Sequence, residues 1–125
     1  MRISNKQIFW IIAAGILGFL GVALGAFGAH ILESKLNEKM LETFKTGVLY
    51  HLIHTCALLA IALYGNPRFY NSALFFLIGI ILFSFSLYAY SITGVKILAM
   101  ITPLGGISFL IGWGLLIYSQ LKATG

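Results

Sequence analysis

The sequence predicts an all-α membrane protein of four transmembrane helices, with an amphipathic interfacial helix between spans 1 and 2. Three observations carry this. Hydrophobic residues make up 60% of the 125-residue chain and charged residues only 9%, far less charge than a soluble domain of this size needs to cover its surface. Apolar runs of membrane-spanning length occupy most of the chain. The mean hydropathy is +0.99, so hydrocarbon and not a packed aqueous core must solvate most side chains. The length suits a single integral membrane domain, residues 1–125.

Eight Lys/Arg against three Asp/Glu give a net charge of +5. The bases sit at the ends of apolar runs, where anionic headgroups attract them, so the expected partner is the lipid bilayer and not nucleic acid. The single Cys56 lies inside an apolar run; it excludes an intrachain disulfide and reads as a small hydrophobe.

The first span covers residues 8–29, after a basic leader containing Arg2 and Lys6. Ala26-Phe27-Gly28 has the small-x-small pattern of a signal cleavage site. The run is roughly twice the length of a signal core, so it is expected to be retained. Ala14, Gly18, Gly21, Gly25 and Gly28 recur alternately four and three residues apart, which lines them along one helix face. Glycine lowers helix propensity, and in a membrane its usual use is close backbone approach to a second helix. That helix is either another of this chain or one of a neighbouring protomer.

Residues 31–46 alternate differently. Leu32, Leu36, Met40, Phe44 and Val48 fall on one side at helical spacing, and Lys35–Glu38, Lys39–Glu42 and Glu42–Lys45 form i,i+3 pairs. This predicts an amphipathic helix in the interface; a solvated connecting helix would differ only in what its leucines meet. The second span covers 47–64 and ends at the turn Gly65-Asn66-Pro67-Arg68. The third, 71–93, carries Ser84, Ser86, Tyr88, Tyr90, Ser91 and Thr93 in its second half. The fourth, 97–120, meets Thr102-Pro103, where either a new helix is capped by Thr102 or one helix kinks.

Four spans put both termini on one side. Arg2, Lys6, Arg68 and Lys122 lie on that side, and Lys35, Lys39, Lys45 and Lys96 on the other. The counts tie, but the terminal side has no acids; both termini are expected to be cytoplasmic.

At about 1.5 Å rise per residue, His51 lies one turn into the second span and His54 about 10 Å deep. Ser84, Tyr88, Ser91 and Thr102 fall at similar depths. The pattern predicts a polar pocket in one half of the bilayer, built from His30, Tyr50, His54, Ser84, Tyr88 and Thr102. It argues against a continuous aqueous pore, because the opposite half is almost wholly apolar. Histidine in a span is a functional candidate by default, although hydrogen bonding that fixes helix packing is the commoner role. His51 and His54 at i,i+3, with His30 and Glu33 or Glu42, make up the metal alternative; haem would need ligands from facing helices. No cofactor is expected. No acidic residue lies in a span, which disfavours a proton-coupled exporter, and no hydrolase or phosphate-loop motif is present.

Five stretches then stand out: Gly25-Ala26-Phe27-Gly28-Ala29-His30; Tyr50-x-x-x-His54-x-x-Ala57-Leu58-Leu59; Phe83-Ser84-x-Ser86-Leu87-Tyr88; Thr102-Pro103-Leu104-Gly105-Gly106; and Gly112-Trp113. In this order they resemble the small integral membrane family called domain of unknown function 423, across essentially the whole chain. The resemblance implies a four-helix protein of the bacterial inner or plasma membrane, and it carries no established activity. Gly25, Gly28, His30, Tyr50, His54, Ser84, Ser86, Tyr88, Pro103, Gly105, Gly106 and Trp113 stand on the family's motif positions. His51 stands where relatives commonly have glutamine, and Phe85 where a small glycine is expected. By both routes His30 and His54 outrank His51.

The expectation is therefore a non-enzymatic homo-oligomer, packed through the glycine faces of Gly18, Gly21, Gly25, Gly28, Gly105 and Gly106. Its polar pocket would take a small molecule, a lipid or a partner helix. The alternatives are a histidine-based metal or redox site, and a small oligomeric transporter or channel.

Overall fold

A computed structural model describes residues 2–125. Among them, four helices are long and apolar enough to cross a membrane: α1 Asn5–Leu32, α2 Glu38–Tyr64, α3 Pro67–Thr93 and α4 Lys96–Thr124. No strand occurs among the described residues. The chain is a multi-pass membrane protein.

Local chemistry sets the ends. Ser4 Oγ accepts from the Gln7 amide at 3.1 Å and Asn37 Oδ1 from the Met40 amide at 2.8 Å, each satisfying an orphan N–H of a first turn. Gly65 and Gly94, at φ 76° and 71°, close α2 and α3 in the left-handed conformation. The Gln7 side chain reaches across to donate to the Ala62 carbonyl at 2.9 Å. It ties the start of α1 to the last turn of α2, where a carbonyl has no partner of its own.

The amphipathic segment departs from expectation. Residues 33–36 form a turn, and from Glu38 onward the segment is the first part of α2, not a separate interfacial helix. The reason is its phase. Phe44, Val48, His51, Thr55, Leu58 and Ala62 are all buried, a single stripe at alternating spacings of four and three running from the amphipathic segment into the span. Asn37 caps the helix early, and Phe44 packs into the bundle against Tyr88, ring centroids 5.0 Å apart. At the other expected break, α4 runs unbroken through Pro103.

The glycine face of α1 meets that stripe. A Cβ on Gly28 would lie 3.3 Å from Phe44, on Gly25 2.8 Å from Val48, and on Gly21 2.5 Å from Leu52. Gly18 is in ordinary contact, with Thr55 at 3.7 Å. Small residues on α1 thus receive large ones on α2, and the seam lies within the protomer. Helices α3 and α4 meet more closely still, because a Cβ on Gly105 would strike the backbone of Leu82 and Phe83. That stretch of α3, Ile80–Phe85, is a π-turn, as is Ala23–Gly28 of α1. Gly106 has only Phe83 near it, at 3.9 Å.

Neighbours in sequence are neighbours in space: α1 packs on α2, α2 on α3, and α3 on α4. The outer helices α1 and α4 bury least. Two apolar clusters form. One joins Trp10, Leu17, Leu58, Phe76, Ile80 and Phe109; the other, nearer the α1–α2 turn, joins Phe44, Val48 and Tyr88.

Gly105→Ala is expected to destabilise the bundle by about 1–3 kcal/mol, the usual cost of overpacking, because backbone cannot move aside as a side chain can. Gly15→Ala, where nothing lies within 4 Å, should be neutral or slightly stabilising. Thermal unfolding in mild detergent followed by circular dichroism checks both, and equal midpoints for the two variants would refute the assignment.

Candidate functional site

Two imidazoles organise the interior. His51 has no exposed surface. Its Nε2 lies 2.8 Å from the Leu17 carbonyl of α1 and its Nδ1 2.8 Å from the Tyr88 hydroxyl of α3. A carbonyl only accepts, so Nε2 carries the proton, and Tyr88 donates its O–H to the Nδ1 lone pair. One side chain of α2 thereby joins three helices. The adjacent Thr55 hydroxyl is satisfied within α2, donating to the His51 carbonyl at 2.7 Å.

His54 faces the other way, toward α4. It donates from Nδ1 to the Tyr50 carbonyl at 2.8 Å and accepts at Nε2 from the Trp113 indole N–H at 3.0 Å. Its ring stacks on Phe109, centroids 3.6 Å apart and planes 13° from parallel, while Phe76 meets it edge-on at 5.4 Å. A third node joins α3 to α4, with Ser86 Oγ and Thr102 Oγ1 2.6 Å apart. Further along the same pair of helices, Ser108 donates to the Phe75 carbonyl at 2.7 Å.

The residues expected to form one pocket are thus distributed over separate nodes. Tyr88 belongs with His51; Tyr50 and His54 belong with Trp113; Thr102 belongs with Ser86. Ser84 is fully buried, and its hydroxyl has no hydrogen-bond partner. His30 is apart from all of them. It lies exposed near the α1–α2 turn, its side chain 84% accessible, with Glu33 3.9 Å away. Its exposure follows from the length of α1, which continues to Leu32 and carries His30 beyond the packed interior that holds His51. Trp113, Phe109 and the Leu17 carbonyl complete the nodes. Trp113 was legible in principle, because an indole N–H in a span needs an acceptor; a main-chain acceptor such as Leu17 leaves no mark in sequence.

The bonding pattern decides what these histidines can do. Each is a neutral imidazole whose one lone pair is occupied, by Tyr88 O–H or by Trp113 N–H. Ligating a metal requires that lone pair and would first break an interhelical bond. Taking a proton would break the Trp113 bond of His54, whereas at His51 it would only reverse the bond, since the Tyr88 hydroxyl can also accept. Among the described residues no group of three or more His, Cys, Asp or Glu side chains is assembled around a point. Apart from the Tyr70, Ser72 and Ser84 hydroxyls, which have no partner, the buried polar side-chain atoms of the described residues bond between or within helices, as hydrocarbon demands.

A lateral cleft of about 420 Å³ opens beside His54. Tyr50, Phe83, Pro103, Gly106, Phe109 and Trp113 line it. It exists because α2 and α4 have almost no close backbone approach; the His54–Phe109–Trp113 group bridges them instead.

With this geometry in view, comparison with known proteins is informative. The family model "Protein of unknown function (DUF423)" matches residues 24–106, the stretch that holds all three histidines. The chain belongs to this family. It is 40% identical over 118 residues to the UPF0382 inner membrane protein YgdD of Escherichia coli K12, covering 91% of this chain and 90% of the relative. It is 42% identical to the UPF0382 membrane protein YwdK of Bacillus subtilis 168, covering 90% of this chain and 96% of the relative. A UPF0382 membrane protein of Haemophilus influenzae is 46% identical over 109 residues, covering 85% and 88%. No solved structure gives a significant match. The four-helix DUF423 architecture described here is therefore that of an uncharacterised membrane protein family.

His51→Ala should cost about 1–3 kcal/mol, because it leaves the buried Tyr88 hydroxyl without its acceptor. His51→Gln, which can donate with its amide nitrogen and accept with its oxygen, should recover most of that loss. Unfolding titrations of the two variants in mixed detergent test this; a glutamine variant no more stable than the alanine one would rule out the bridge.

Proposed function

We propose that this DUF423 protein is a non-catalytic membrane protein that binds a lipid or lipid-soluble small molecule in the cleft between α2 and α4. One observation carries the reading. Two helices of a compact bundle are spaced by an aromatic group and not by backbone packing, and the gap between them opens sideways with walls of Tyr50, Phe83, Phe109 and Trp113. Pockets for small apolar ligands are concave, mainly apolar and aromatic, with few polar groups. Tyr50, 39% exposed at the mouth, supplies a hydroxyl that can fix an amphiphile's orientation. Committed lone pairs on His51 and His54 favour this over a metal or redox site, and separated polar nodes favour it over a transport path.

The same reading puts the protein in the inner or plasma membrane, following the name of the Escherichia coli relative, with both termini cytoplasmic because, the basic counts of the two faces being equal, theirs is the one without acidic side chains. It puts self-association on the outward faces of α1 and α4, where Gly15 and Gly114 have open space, since Gly21, Gly25 and Gly28 are used within the protomer.

Gly106→Phe projects a ring into the cleft where only Phe83 lies near. Solvent extraction and mass spectrometry of gently purified protein should find an apolar molecule enriched in the wild type and depleted several-fold in this variant, with helical content unchanged. Identical extracts from the two would refute the proposal.

A further inference from the structure

A second cleft, of about 480 Å³, lies at the end of the bundle that carries both termini, between the first turn of α3 and the last turns of α4. Arg68 and Asn71 face it from α3; Tyr118, Ser119 and Lys122 face it from α4. Arg68 and Asn71 are three residues apart, as are Ser119 and Lys122, so each helix turns one face toward the gap. The Arg68 guanidinium sits 4.9 Å over the Phe69 ring, which restrains it.

Two cations thus share one concavity with no carboxylate side chain to balance them. The chain's three acidic residues, Glu33, Glu38 and Glu42, all lie at the opposite end of the bundle. Cations sharing a concavity repel each other, and an anion placed between them relieves the repulsion. Guanidinium recognises phosphate through paired N–H donors and ammonium does so as a point charge. The Asn71 amide and the Ser119 and Tyr118 hydroxyls add neutral donors. Leu115 and Ala123 supply an apolar wall beside this polar set.

We infer that this cleft binds the phosphate of an anionic phospholipid, its headgroup between Arg68 and Lys122 and the start of its acyl region along Leu115. The position is right for a headgroup: the cleft lies where two spans enter and leave the hydrocarbon, at the level of aromatic and basic anchors. With no acidic side chain in the cleft to balance the quaternary ammonium of phosphatidylcholine, and two cations there to repel it, the preference is for phosphatidylglycerol. This site is separate from the α2–α4 cleft and does not depend on what that cleft binds.

The test is native mass spectrometry of the full chain ejected from phosphatidylcholine nanodiscs containing increasing phosphatidylglycerol. The wild type should retain phosphatidylglycerol several-fold over phosphatidylcholine. Arg68→Gln/Lys122→Gln should lose that preference, and Arg68→Gln alone should lower it. Lys96→Gln, which removes the same charge at the other end, and Gly106→Phe, which fills the other cleft, should both keep it. Both cations are exposed, so the variants should fold, as circular dichroism would verify. No preference in the wild type, or an equal loss in Lys96→Gln, would overturn the inference. Millimolar inorganic phosphate that displaces the lipid would overturn the lipid assignment and make the free ion the ligand.

Discussion

In hydrocarbon a polar group has no water to turn to, and each one brought into the bilayer must find its partner inside the protein. His51 is where this constraint bears on most of the structure. Its two ring nitrogens hold the Leu17 carbonyl and the Tyr88 hydroxyl at 2.8 Å each, so the rotations of α1, α2 and α3 about their axes are coupled through one ring. Along α2 it falls between the residues of the two apolar clusters, which differ in extent: one draws side chains from all four helices, the other joins Phe44, Val48 and Tyr88. Packing of these side chains alone selects helix register only weakly, and the directional bond between the imidazole and the Tyr88 hydroxyl adds that selection.

Close approach is what makes that bridge possible. Gly21, Gly25 and Gly28 let α2 seat Leu52, Val48 and Phe44 against α1, and only at that distance can a side chain of α2 reach a main-chain oxygen of α1. Van der Waals contact across small residues substitutes for a hydrophobic drive that lipid does not supply between helices. Gly105 plays the same part between α3 and α4, where its neighbour is backbone. Shared glycine seams and buried hydrogen bonds therefore form one system: the glycines set the spacing, and the histidine sets the rotation.

Against that tight frame, the α2–α4 gap is the exception. A chain able to bring α3 and α4 backbone to backbone instead separates α2 from α4 with His54, Phe109 and Trp113, and saturates His54 in the process. The ring stack is stiff and apolar, which suits a wall better than a reactive centre. At the end of the bundle near both termini, the Arg68–Lys122 cleft is the reverse case, polar and cationic at the water boundary. The molecule thus presents an apolar opening to the lipid tails and a basic one to the headgroups.

Composition and periodicity alone determined the membrane environment, the all-α class and the four spans, because a long apolar run has few other stable fates in water or lipid. They also marked the glycine face of α1, since a row of poor helix formers needs a packing reason. The charges of the amphipathic segment dominate its local pattern and suggest a separate helix, whereas its apolar stripe is in phase with that of α2, which it joins from Glu38. Only tertiary structure decided where each histidine lies, His51 and His54 in the packed interior and His30 exposed. In sequence, His30 and His54 both outrank His51, which stands outside the family's motif. What distinguishes them is which helix each ring faces, and for His51 the decisive partner is the Leu17 carbonyl, a backbone atom that every residue possesses. Spacing along one helix fixes which side chains share a face; which atoms that face meets depends on the distance and rotation of the neighbouring helices, which only the assembled bundle sets.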